Sequence, residues 1–83
     1  MHYVYVLEDP NTKRLYVGRT GDLKRRLQEH LQGKTYTTKR MSNLKLIFYE
    51  AFRAKEDSIR RERYFKTSKG KISLKQIIRK SII

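Results

Sequence analysis

The spacing of apolar residues along the chain changes several times, and each change marks a new element. Residues 3–7, Tyr-Val-Tyr-Val-Leu, are β-branched, aromatic or apolar without interruption, the make-up of a buried strand. Asp9-Pro10-Asn11 forms a turn cluster, because Pro fixes φ and Asn tolerates left-handed backbone. Leu15-Tyr16-Val17 resumes the strand pattern, so residues 3–19 are predicted to form an antiparallel hairpin, and Gly18 then breaks it. Leu23, Leu27 and Leu31 recur every fourth residue, which predicts a helix capped by Thr20 or Asp22 and ended by Gly33. Residues 34–43 are polar and basic and read as a loop, and residues 44–52, with Leu-Ile-Phe-Tyr inside them, read as a third strand. A second helix is predicted over residues 54–66 with Ile59 and Phe65 on one face, then a basic turn over 67–71. Leu74, Ile77, Ile78 and Ile82 fall at the spacing of a last helix. The order β-β-α-β-α-α predicts an α+β fold, a three-stranded antiparallel sheet with flanking helices, in one domain spanning residues 1–83.

Charge narrows the function. Lys and Arg number 21 against 8 Asp and Glu, a formal net charge of +13. Solubility asks for only about 2–8 units in a small domain. The excess works against compaction by self-repulsion and calls for a polyanionic partner. A membrane surface would want a basic amphipathic helix with a broad apolar face. Here the basic residues run through the whole chain and alternate with six Tyr, which suits a groove that follows phosphates and stacks bases. The expected partner is therefore nucleic acid, with no membrane. The chain has no Cys, which excludes disulfides and thiolate metal sites. No apolar run reaches the ~18 residues of a membrane span. No secretory leader pattern opens the sequence, so the expected location is the cytoplasm.

A few polar residues sit where apolar ones are expected. With Leu23 at zero on a helical wheel, Leu27 and Leu31 fall at about 40° and 80°, Arg26 at about −60° and His30 at about −20°. Two polar side chains one turn apart thus border the apolar stripe. That is equally the position of a snorkelling arginine and a satisfied, half-buried histidine. Glu62 lies midway between Ile59 and Phe65, on the face they define, among Arg60, Arg61, Arg63 and Lys66. It is either one half of a structural ion pair or a carboxylate at the rim of a positive groove, able to ligate a hard divalent cation. Tyr5 and Tyr16 could be core residues, although packing alone would be served by Phe.

Together these residues resemble a known pattern. Tyr3-Val4-Tyr5 followed by Tyr16-Val17-Gly18 is similar to the paired tripeptides that name the GIY-YIG nuclease superfamily. The run from Gly18 to His30 resembles that family's helix, with an Arg and, a turn later, a His or Tyr. Ser58-Ile59-Arg60-Arg61-Glu62-Arg63 resembles the segment with its metal-binding Glu, and residues 61–71 are similar to the ending of small, single-domain bacterial members. The resemblance spans essentially the whole chain. The departures are Tyr3 for the first Gly, Val for both Ile, and Leu74 where excision-repair relatives place a supporting Asn.

The resemblance implies a metal-dependent endonuclease acting on DNA more readily than RNA, selecting structure more than sequence, in a repair or recombination setting. Tyr5, Tyr16, Arg26, His30 and Glu62 would be its catalytic residues. Glu62 would hold one Mg²⁺ or Mn²⁺, mostly through waters, Arg26 would present a planar fork to the scissile phosphate, and Tyr5 would orient water or phosphate. Tyr16 is the implied general base, and His30, whose residue type titrates nearer neutrality, is the rival. Arg19, Lys34, Lys39, Arg40, Lys66, Lys69 and Lys71 are the expected backbone-gripping cations. The competing expectation is a basic DNA- or RNA-binding module that keeps the fold without the chemistry; a self-association domain is a third. Oligomeric state is open at this level.

Overall fold

In a computed structural model, which describes residues 1–31 and 44–82, β1 (His2–Glu8) is the middle of a sheet of order β2-β1-β3. β2 (Leu15–Thr20) and β3 (Lys45–Phe52) both run antiparallel to it. Three helices follow the strands: α1 (Leu23–Leu31), α2 (Lys55–Phe65) and α3 (Ser68–Ile77). The predicted α+β class and element order are therefore those observed. Among the described residues, no helix is long and apolar enough to cross a membrane.

The turn between β1 and β2 is held by its own chemistry. Asp9 Oδ1 accepts from the Asn11 N–H at 2.9 Å, the Asp9 N–H donates to the Arg14 carbonyl at 2.9 Å, and Lys13 takes the left-handed conformation with φ of 62°. Across the hairpin Tyr5 stands opposite Gly18, Val6 opposite Val17, and Leu7 opposite Tyr16. Gly18 therefore does not break the strand, as the sequence pattern suggested; it is a buried member of β2. On the other side Tyr5 faces Tyr49 and Val6 faces Phe48, with a register shift between Val6 and Leu7.

Opposite partners share a sheet face, so β1 divides its residues between two environments. Val4 and Val6 join Phe65, Leu74 and Ile78 in the core, with Leu15, Val17, Ile47, Phe48, Phe52 and Ile82 packed around them. This is the face that α2 and α3 cover. On α2 the fully buried residues are Ser58 and Phe65, seven apart. Glu62 thus flanks the buried stripe on one side and Arg61 on the other, where the sequence had placed Glu62 at the centre of an Ile59–Phe65 face. Arg61 fastens the helix to β3, its Nε and Nη2 donating to the two Glu50 carboxylate oxygens at 2.8 and 3.2 Å, while its guanidinium lies 4.3 Å from the centre of the Phe65 ring.

Residues 67–71, expected to be a turn, open α3 instead. Thr67 is its N-cap, accepting from the Gly70 N–H at 3.0 Å. Gly70 is needed because α2 ends so close to α3 that a Cβ there would lie 1.7 Å from the Tyr64 carbonyl oxygen. Of the apolar set predicted for α3, Leu74 and Ile78 are buried and Ile77 is exposed.

Candidate active site

The second face of the sheet belongs to α1. Asp22 caps this helix, its Oδ1 accepting from the Arg25 N–H at 3.1 Å, and Thr20 Oγ1 accepts from the Asp22 N–H at 3.1 Å. The stripe turned toward the sheet carries His30, which is only 4% exposed, with Arg26 one turn earlier and half-buried. On this strand face Tyr5 lies across Gly18, so closely that a Cβ on Gly18 would come within 2.4 Å of the Tyr5 Cζ and Oη. The glycine of the second tripeptide thus makes the seat for the tyrosine of the first, a relation that spacing alone does not reveal.

Tyr5 Oη is the centre of a network. Arg26 Nε donates to it at 3.3 Å, and His30 Nε2 lies 2.9 Å away. Burial, and then the positive charge of Arg26, hold the His30 pKa below the usual imidazole value, against a smaller opposing effect of Glu29. The imidazole is therefore neutral near neutral pH. Arg26 can only donate, so Tyr5 Oη accepts from it, and the same oxygen pairs with His30 Nε2. Burial is the largest influence on the Tyr5 phenol and pushes its pKa up. The Arg26 hydrogen bond opposes this, while Tyr16 and the Glu62 carboxylate add to it. Tyr5 stays protonated.

Tyr16 completes the cluster from β2. Its ring centre is 5.3 Å from that of His30 and 6.4 Å from that of Tyr5. Among the described residues the Tyr16 hydroxyl has no hydrogen-bond partner, whereas both capacities of the Tyr5 hydroxyl that this network uses are filled. Arg26 is braced a second time, its Nη1 donating to Glu29 Oε1 at 3.2 Å. Its hydrogen bond to Tyr5 is the main reason its pKa is raised further, with Glu29 and the Tyr16 phenol adding to the effect. The guanidinium is thus fixed along one edge, and its Nη2 has no partner among the described residues. Glu29 is a positioning residue that the sequence reading passed over, although its place three residues after Arg26 was a usable signal.

Glu62 comes to this cluster from α2. Its side chain is 22% exposed, its carboxylate lies 3.5 Å from Lys66 Nζ, and its charge acts on the Tyr5 phenol. The structure thus brings Tyr5, Tyr16, Arg26 and His30 into contact and sets Glu62 within electrostatic reach. Lys66 is engaged with Glu62 and not wholly available to a ligand. Arg19 stands opposite Val4, on the α2 side of the sheet, and Lys69 and Lys71 are exposed on α3. Lys34, Lys39 and Arg40 lie outside the described residues. Leu74 is buried in the core, so the position offers no polar support to the site.

Comparison with known proteins bears on the family and the fold. The model of the GIY-YIG catalytic domain matches residues 1–76. A UPF0213 protein of Streptococcus agalactiae serotype V is 46% identical over 66 residues, covering 77% of this chain and 73% of that protein. A UPF0213 protein of Streptococcus pyogenes serotype M5 is 45% identical over 69 residues, covering 81% and 73%. The solution NMR structure of a UPF0213 protein from Bacillus halodurans superposes with a TM-score of 0.58 at 33% identity, covering 92% of this chain and 83% of that one.

Proposed function

The chain belongs to the GIY-YIG catalytic-domain family, a superfamily of endonucleases, and from that premise we propose that it is a metal-dependent enzyme hydrolysing phosphodiesters in DNA. The observation that carries this reading is the division of labour between the two hairpin tyrosines. Tyr5 Oη is held between Arg26 and His30, and so serves to position them. Tyr16 Oη, with no partner among the described residues, is left as the group that, once it has given up its own proton and stands as phenolate, takes the proton of the attacking water. His30 is a poor rival for that task, because it is buried and its Nε2 is already engaged with Tyr5 Oη. Arg26, braced by Tyr5 and Glu29, presents Nη2 to a non-bridging phosphate oxygen, where a rigid fork of donors stabilises developing charge.

The donor chemistry of the site fits one hard divalent cation. Glu62 offers a half-buried carboxylate, and no group of three or more His, Asp or Glu suited to a metal occurs among the described residues. A single protein carboxylate is what Mg²⁺ or Mn²⁺ uses when it keeps most of its waters. When bound, such a cation supplies charge to stabilise the leaving oxygen. Lys66 would yield its hold on Glu62 to it.

A net charge of +13 holds the nucleic-acid backbone, and contacts to phosphates position a strand without reading its sequence. The substrate is accordingly selected by structure, as in repair or recombination intermediates, and the setting is cytoplasmic. Plasmid nicking with Mg²⁺ or Mn²⁺ tests the proposal, with EDTA as control. Glu62→Gln is expected to abolish cutting. Tyr16→Phe should cut about 10²-fold or more slowly, the usual share of a general base, with DNA binding intact. Full turnover in either variant moves the chemistry elsewhere. Binding without cleavage under every condition leaves a basic nucleic-acid-binding module.

A further inference from the structure

Along the outer side of β2 the molecule carries a cleft of about 810 Å³, within the size range of ligand sites. Its floor is apolar: Leu15, Val17, Phe65, Leu74 and Ile82. Its rim is cationic, with Arg14 from the hairpin turn, Lys66 at the end of α2, and Lys71 and Lys75 on α3. The acid on the rim is Glu8, which is buried. Tyr16 lines the cleft as well, so the cleft begins where the candidate active site ends, and the Lys66 of its rim is the partner of Glu62.

An apolar floor inside a ring of cations has the chemistry of a flat, uncharged group joined to anions. We propose that this cleft receives an unpaired base of the substrate strand, next to the phosphodiester at Tyr16, while Arg14, Lys71 and Lys75 hold the phosphates on either side. The inference rests on the nuclease reading and refines it: the substrate presents a single-stranded or splayed nucleotide at the cut. A fully paired duplex keeps its bases stacked inside and offers the floor nothing to bury. Base stacking and apolar contact add affinity that salt screens little, whereas the phosphate contacts weaken steeply with salt.

The test is fluorescence anisotropy in EDTA, with a labelled 15-nucleotide DNA strand and a strand of equal length and charge carrying abasic units in place of bases. The strand with bases is expected to bind at least ~5-fold more tightly, the order of effect from burying about 40 Å² of a base against the apolar floor. Replacing the half-buried floor residues, in Leu15→Ala/Ile82→Ala, should erase that difference and leave the salt dependence. The exposed-residue variant Arg14→Glu/Lys75→Glu, which leaves the core untouched, should weaken binding of the normal strand about 10-fold or more. Equal affinity for the two strands overturns the proposal, as does unchanged affinity in Arg14→Glu/Lys75→Glu. The two readings fail separately. Glu62-dependent nicking without base-dependent binding sinks the cleft and keeps the nuclease; base-dependent binding with no cleavage does the reverse.

Discussion

The two faces of the sheet are built from alternate residues of the same strand, yet they are held together by different physics. Val4 and Val6 point into a dry core with Phe65, Leu74 and Ile78, where stability comes from apolar area removed from water and close packing. Tyr5, one residue away, points to a polar cluster in which each buried group is matched: Arg26 to Tyr5, Tyr5 to His30, Arg26 again to Glu29. Among the described residues no buried side-chain nitrogen or oxygen lacks a partner. The difference shows how a chain of this size accommodates a site. One face stabilises the fold, which frees the other to keep polar groups at the surface of the sheet, where alternation along β1 registers them against the core within one residue.

The comparison breaks most readily at the dry face. Phe65 stacks edge-on with Phe48 at 6.4 Å and lies under Arg61, and it is 1% exposed. Phe65→Ala is expected to cost about 3–5 kcal/mol in a chemical denaturation experiment. Against a total of about 5–15 kcal/mol for a small domain, that is a large share. A loss below about 1 kcal/mol would show that stability resides elsewhere.

The polar face should respond differently. Tyr5→Phe removes only an oxygen, but it strands Arg26 Nε and His30 Nε2 in a partly buried setting, at an expected cost of about 1–3 kcal/mol. Cleavage should fall in the same variant even though Tyr16 and Glu62 are intact, because Arg26 loses one of its two braces. A variant as stable and as active as the parent would mean that the network is incidental.

The smallest effect is the one with pH. The folded-state pKa of His30 lies below that of a free histidine, so between the two values the unfolded chain binds more protons. The contribution of His30 is therefore fully present above about pH 6.5, the reference value for histidine, and is lost as pH falls below it. Melting temperatures measured from pH 7.5 to 5 should decline in the parent. They should decline less in His30→Gln, which has no ring to protonate. Parallel curves for the two proteins would remove His30 from the pH response.

Much of this organisation was legible in the residues. Unbroken β-branched and aromatic runs mark strands, a four-residue leucine repeat marks α1, and the positions of Arg26 and His30 beside that repeat follow from the helical period alone. Local misreadings came where a residue's usual role was overridden by its neighbours. Gly18 looks like a breaker until the Tyr5 ring above it is known. Thr67 and Gly70 look like a turn until Thr67 is seen to cap a helix and Gly70 to admit the end of α2. Glu62 was placed at the centre of an apolar face, when Ser58 and Phe65 define that face and leave it at the flank.

By itself, then, the order of residues determined the periodicities, the cap of α1, the strong positive charge and the membership of Tyr5, Tyr16, Arg26, His30 and Glu62 in a recognisable set, because these depend on local chemistry and spacing. Which hydroxyl is hydrogen-bonded within the cluster and which has no partner among the described residues was decided only by tertiary structure. Strand register set Tyr5 over Gly18, and the packing of α1 brought Arg26 and His30 to the same oxygen. A cleft walled by β2, α2 and α3 likewise exists only once segments some fifty residues apart in sequence share a surface, since a void between elements has no signature in any one of them.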